Sequence, residues 1–202
     1  MNFFKSYGSS MKVVTGIVAL LVCGWSAYAW FSYDNGIVNY VADRDKVAIK
    51  KMFHDDWQFL YFGDWDKITE DDFDIDFMLD NRSSSQHSAT GNLVLKVLRE
   101  NGKTVGFLAY WPKSPYWWHM LFLIVDVDHR RSGNASKLVQ YFIDDAVARG
   151  ALKVTTFTRL ANVRARGLYE GKFHFKNMGD PYKGTDYENK YLDLALYPKN
   201  KK

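Results

Sequence analysis

The chain of 202 residues contains one cysteine, and that scarcity closes off several chemistries. With Cys23 alone, no internal disulfide can form and no thiolate cluster can hold a metal. Cys23 also lies inside an apolar run, which argues against a catalytic nucleophile. The sequence lacks G-x-x-x-x-G-K-[ST] and G-x-G-x-x-G, so neither of those phosphate loops is present. No internal repeat is found. A basic stripe with interleaved aromatics is missing too. A pI near 9.0 and the tail Lys199–Lys202 are the only features that favour nucleic acid, and an acidic segment works against them.

What is present belongs to an ordinary globular domain: 47% hydrophobic and 25% charged residues, with aromatics high at 17%. The net charge of +4 is unevenly spread. Residues 55–80 hold ten acids (Asp55, Asp56, Asp64, Asp66, Glu70, Asp71, Asp72, Asp74, Asp76 and Asp80) against the single base Lys67. That segment is −9, and the rest of the chain carries +13. Such a division suits an anionic ligand at one place and a cationic one at another; a solvated acidic loop accounts for it equally well.

Val13–Phe31 is an uncharged run of 19 residues preceded by Lys5 and Lys12. About 20 apolar residues cross a bilayer as a helix, and Trp25, Trp30, Phe31 and Tyr33 would sit at its interface. The reading is a single membrane anchor in residues 1–36, ahead of a domain in residues 37–202. The alternative is a cleavable signal peptide ending at Ala27-Tyr28-Ala29, which would export the domain.

Within the domain, residues 43–62 carry a helical apolar face, and Phe73, Ile75 and Phe77 alternate as in a short strand. Residues 82–91 read as a loop. Residues 92–111 form a hairpin pattern around Asn101-Gly102, and Pro112 and Pro115 are expected to break the chain after it. Trp118–Val127 is a nearly continuous apolar run, the mark of a strand buried on both faces. An amphipathic helix follows over 136–149, a strand over 153–158, a helix over 162–170 and a strand over 191–197. The order predicts an α/β or α+β domain.

The informative segment is Val125–Leu138, VDVDHRRSGNASKL, where a strand runs through a short loop into a helix. Unpaired amides at a helix start, the small residues Gly133 and Ala135, and the charges of Arg130 and Arg131 together suit a pyrophosphate. A basic turn that merely caps the helix has the same residues. The register Val125, Arg130, Gly133, Ala135, Leu138 resembles the acetyl-CoA signature of the GNAT superfamily of N-acetyltransferases. A second block follows at the family's distance, with Asn162, Ala165, Leu168 and Tyr169 in register. It departs from the family at its end. A Gly-Phe pair is expected four and five residues after the tyrosine, whereas here Gly171 comes early and the run is Phe173-His174-Phe175.

The resemblance implies a GNAT fold: a mixed central sheet with a splayed parallel strand pair, flanked by helices and preceded here by one hydrophobic N-terminal helix. It implies acetyl-CoA as co-substrate and no metal. The strand stretch Ile124–Val127, including Val125 and Val127, would bond the pantetheine arm. The loop of Arg130, Arg131, Ser132, Gly133, Asn134, Ala135 and Ser136 would hold the pyrophosphate. Asn162 would touch the arm or orient the second helix. Tyr169 matches the family's general acid, and His119 stands where relatives carry a base, with Asp126 as the alternative. His54 and His174 have no supporting context. The acceptor amine should meet residues 53–80, whose carboxylates suggest a cationic small molecule or basic peptide. Since acetyl-CoA is made inside cells, the domain is expected to face the cytoplasm. A non-catalytic acyl-CoA sensor or membrane-tethered adaptor is the competing expectation.

Overall fold

The computed structural model describes residues 35–60, 75–80 and 93–198, apart from the side chain of Phe77. The expected segment 13–31, the loop 82–91 and six of the ten acids of 55–80 lie outside those residues. Among the described residues no helix is long and apolar enough to cross a membrane.

Seven strands form one sheet in the order β1-β2-β3-β4-β5-β7-β6. They are β1 (Gly36–Asn39), β2 (Val94–Glu100), β3 (Lys103–Ser114), β4 (Trp117–Val125), β5 (Lys153–Arg159), β6 (Lys176–Gly179) and β7 (Tyr191–Leu196). Every neighbouring pair is antiparallel except β4–β5. The parallel pair arises because the helix α3 (Asn134–Ala148) carries the chain back across the sheet between them. The expected hairpin is present: Asn101 and Gly102 both take positive φ, 51° and 73°, as a two-residue turn between β2 and β3 requires.

Two apolar clusters lie on opposite faces of the sheet. On one, Leu138, Val139, Phe142, Ile143 and Ala146 of α3 pack on Leu98, Leu108, Tyr110, Met120, Val154 and Leu194. At Gly106 an added Cβ would come 3.0 Å from Leu138 Cδ1, so β3 passes α3 at a distance that glycine permits. On the other face, Ile49, Met52 and Phe53 of α1 (Ala42–Leu60) cover Val97, Phe107, Ala109 and Ile124.

Two expectations are corrected. Residues 75–77 are not a strand: Asp76–Leu79 form a helical turn, α2. Ile75, Met78 and Leu79 recur at helical spacing and all bury against α1, so tertiary packing set the period. Pro112 does not break the chain either, because β3 runs on to Ser114. The ladder is irregular between Pro112 and Ser114, and at such a site a missing N–H leaves no bond unmade.

Candidate active site

The site begins with a defect in β4. Opposite β3, the pairing steps from Ala109↔Phe122 to Tyr110↔Met120, which leaves Leu121 without a partner. Such a bulge bends a strand and increases its twist. Accordingly β4 and β5 pair in parallel only from Trp117↔Lys153 to Met120↔Thr156. Beyond that point the two strands separate, and β5 continues paired to β7. The Thr156 hydroxyl closes the apex of the opening by donating to the Met120 carbonyl at 3.2 Å.

Tyr169 stands at this apex. Asn162 caps the helix α4 (Val163–Arg166), its Oδ1 accepting from the Ala165 amide at 3.1 Å. The helix then widens into a π-helical turn over Gly167–Lys172, where the Phe173 amide donates to the Leu168 carbonyl at 3.1 Å. The turn buries Tyr169, and its phenol lies close enough to Thr156 to be influenced by that side chain. Burial pushes the phenol above its ordinary value, with Thr156 partly offsetting, so Tyr169 holds its proton throughout the physiological range. The π turn also explains the departure in the second motif. His174 takes positive φ, 57°, as a glycine would, and Phe175 is buried. They come one residue later than the family spacing, and the widened turn absorbs the extra residue.

His119 lies one residue from the apex, on the opposite face. Its Nδ1 is 2.8 Å from the Thr155 hydroxyl, which also accepts from Trp117 Nε1 at 2.7 Å. Its ring stacks on Phe157 with centroids 6.1 Å apart. Burial, helped by Lys113, pushes its pKa down to about 3. An imidazole that titrates near 6.5 unfolded and near 3 folded binds its proton first in the unfolded chain. Stability is then fully present above pH 6.5 and falls as pH drops toward 3. Relative to a His119→Gln variant, the protein is expected to lose about 2 kcal/mol more between pH 6.5 and 5, read from urea midpoints. Equal losses in both would contradict the buried neutral ring.

The loop at the open end of β4 is held by side chains. Val127–His129 form a turn with Asp126 at its head, whose Oδ1 accepts from the Asp128 amide at 3.0 Å and lies 3.1 Å from His129 Nδ1. Burial pushes the Asp126 carboxyl up, but His129, the Asp128 amide and Lys51 together hold it below the usual range. The Ser132 hydroxyl and the buried Asn134 amide both donate to the His129 carbonyl, at 2.7 and 3.3 Å. Arg131 and Gly133 have positive φ, 62° and 87°. Gly133 starts α3 with no side-chain cap, and the first helical bond runs from the Lys137 amide to the Gly133 carbonyl at 3.0 Å. The amides of Asn134, Ala135 and Ser136 precede that bond and have no partner within the helix. Among the described residues, chain neighbours aside, no atom lies within 4 Å of a Cβ built on Gly133, so the loop is open on that side.

Arg130 has partners within the protein. Its Nε donates to the Val125 carbonyl at 2.9 Å, and its guanidinium pairs with Asp56, where α1 kinks. Its charge is balanced inside the protein, and it ties α1 to the loop. The free-facing charge comes from the exposed Arg131 and from Lys172, whose Nζ donates to Ser136 Oγ at 2.9 Å. The described acids of 55–80 are also partnered: Asp55 with Lys51, Asp56 with Arg130, Asp76 with Lys50 and Asp80 with Lys46. Val125 is buried, whereas Val127 is exposed. Sequence reasoning missed Thr155, Thr156 and Lys172. Only their places on β5 and beside the second motif could have marked them. Among the described residues no group of three or more His, Cys, Asp or Glu could hold a metal.

Residues 49–175, well over half of the chain, match the model of the acetyltransferase (GNAT) family. Solved structures agree in fold. The ribosomal-protein-S18-alanine N-acetyltransferase of Escherichia coli superposes with a TM-score of 0.57 at 20% identity, covering 80% of this chain and 92% of that one. Ard1 of Thermoplasma volcanium gives 0.59 at 17%, covering 80% and 95%. YncA of Salmonella typhimurium, solved with its cofactor acetyl-CoA, gives 0.58 at 18%, covering 80% and 92%. No curated protein matches by sequence.

Proposed function

Because the chain belongs to the GNAT acetyltransferase family, we propose that it transfers an acetyl group to the primary amine of a cationic acceptor. Acetyl-CoA is the acyl donor of the family. One observation carries the reading: β4 leaves β5 beside the Tyr169 hydroxyl, and the uncapped start of α3 stands at the mouth of the same opening.

The residues present fit the donor. The amides of Arg131–Ser136 suit a pyrophosphate, with Arg131 and Lys172 adding charge. Among the described residues the edge of β4 from Leu121 to Val125 has no strand partner on the β5 side, and it suits the pantetheine arm. Asn162 acts by capping α4, which sets the height of Tyr169. Bound there, acetyl-CoA would supply an activated thioester carbonyl.

Tyr169, protonated and buried, is the proton donor for the departing sulfur. His119 is neutral and accepts the proton of the amine, directly or through the Thr155 hydroxyl. A base with so low a pKa cannot strip a free ammonium ion, so the acceptor enters as neutral amine and His119 takes its proton only as the nitrogen forms its new bond. Asp126 is the weaker candidate, since its oxygen is engaged within its own turn.

The apolar run 13–31 supports a single-pass membrane placement with the domain on the cytoplasmic side, where acetyl-CoA is made; the Ala27-Tyr28-Ala29 site supports export as the second possibility. The test of the function is thiol release from acetyl-CoA by the purified chain over a panel of amines. Transfer is expected to cationic amines and to rise with pH as the amine loses its proton. A chain that binds acetyl-CoA but acetylates no amine would contradict the proposal.

A further inference from the structure

The face of the sheet opposite α3 carries a row of rings that ends on a carboxylate. Trp111 pairs with His119 across β3–β4, His119 stacks on Phe157, and Phe157 lies directly opposite Asp193 across β5–β7. Cross-strand partners point to the same side, so these four share one face. Tyr191 borders the row, its centroid 6.2 Å from Phe157, and Tyr182 packs on Tyr191 at 5.3 Å. The apolar face of α1 packs on β2 to β4; in the row itself His119 and the neighbouring Tyr191 are buried. Phe157 and Asp193 are half-buried rather than sealed.

The surroundings of Asp193 are unusual. Among the described residues no cation lies within ion-pair distance of it, whereas Asp45, Asp56, Asp76 and Asp145 each have one. A half-buried carboxylate without a counter-ion is held at a cost in desolvation. Burial pushes its pKa up, and Lys153, the Leu194 amide and Lys113 only partly offset this. Both lysines are drawn instead to Trp117, Lys153 at 4.6 Å and Lys113 at 5.1 Å from the ring centroid. Arg159 likewise sits over Tyr191 at 5.1 Å. The rings of this face thus already attract cations.

Resting on the transfer reading above, we propose that Asp193 anchors a second, non-reacting cationic nitrogen of the acceptor, which makes the acceptor a flexible diamine. The attacking nitrogen must be neutral, so a charge that identifies the acceptor has to sit on another atom. The apex of the opening lies midway between β4 and β5, and β7 is the next strand over. At a strand spacing near 4.8 Å, the anchor is about 7 Å from the reacting position. A chain of about five methylenes separates two amines by that distance, and Phe157 and Trp111 flank its path.

Calorimetric titration of 1,5-diaminopentane and of pentylamine into the full-length chain tests this without requiring turnover. The wild type is expected to bind the diamine at least about tenfold more tightly than the monoamine, the scale of one charge-assisted hydrogen bond. Asp193→Asn should bring the diamine down to the level of pentylamine, and Asp193→Glu should restore part of the preference. The urea midpoint of Asp193→Asn should not fall, since a desolvated charge is removed, and its acetyl-CoA binding should be unchanged. In turnover, KM for the diamine should rise about tenfold with kcat preserved. Equal affinities for the two amines in the wild type, or a preference that survives Asp193→Asn, would overturn the proposal. Selective diamine binding without acetyl transfer would leave the anchor standing and sink the transfer reading instead.

Discussion

Replacing Asp45 by alanine is expected to lower the unfolding free energy by about 3–5 kcal/mol. Asp45 lies in the first turn of α1 and is fully buried, and Arg99 of β2 is 5% exposed. Its Oδ1 accepts from Arg99 Nε at 3.1 Å and from the Thr104 hydroxyl at 2.5 Å. Its Oδ2 accepts from Arg99 Nη2 at 2.7 Å and from the Val41 amide at 2.7 Å. One carboxylate therefore ties the start of α1 to β2 and β3. Truncation removes a buried carboxylate that accepts from Arg99, Thr104 and Val41 at once, which is why the loss exceeds that of an exposed pair. A domain of this size has about 5–15 kcal/mol in total, so the variant should melt far earlier in urea. The double variant Asp45→Leu, Arg99→Met should recover much of the loss, because it removes both charges and fills the space. A loss below about 1 kcal/mol for Asp45→Ala would mean that the pair is not buried as described.

Tyr169→Phe is expected to reduce kcat by about 10- to 100-fold while leaving KM for acetyl-CoA nearly unchanged. General-acid catalysis typically contributes about 10²–10⁴-fold, and the expected loss is at or below the bottom of that range because a thiol near pKa ~8.5 leaves adequately by itself. The ring is kept, so packing against Phe175 survives and stability should fall by no more than about 1 kcal/mol for the lost hydroxyl. Thiol release measured with donors of decreasing thiol pKa separates the acid role from simple packing. The defect should shrink as the leaving group improves. A defect that is the same for every donor would reduce Tyr169 to a wall of the site.

Local features of this chain are legible in its sequence. Asn101-Gly102 announced the hairpin by its turn chemistry, and the stripe from Leu138 to Ala146 announced α3 by its period. Gly133 marked the loop, because an open helix start next to a close-approach glycine is a local property of the sequence. What failed was non-local or short. β1 and β6 have four residues each, too few for alternation to register. Ile75-Asp76-Phe77 alternates like a strand, yet burial of Met78 and Leu79 against α1 made it a helical turn. The pairing of Arg130 with Asp56 could not be foreseen because the two are 74 residues apart. The Leu121 bulge, which opens the sheet, and the π turn that carries Tyr169 each insert one residue into a regular element, and neither has a composition that marks it.

The measurement closest to the central claim is calorimetric titration of acetyl-CoA into the full-length chain, beside Gly133→Asp. Gly133 has positive φ and faces open space, so the aspartate strains the loop and sets a negative charge before the amides of α3. Saturable binding at one site per chain is predicted, weakened in Gly133→Asp by at least about tenfold, or about 1.4 kcal/mol. A folded chain that binds no acetyl-CoA, or that binds it equally well in Gly133→Asp, would contradict the assignment of the opening between β4 and β5 as the donor site.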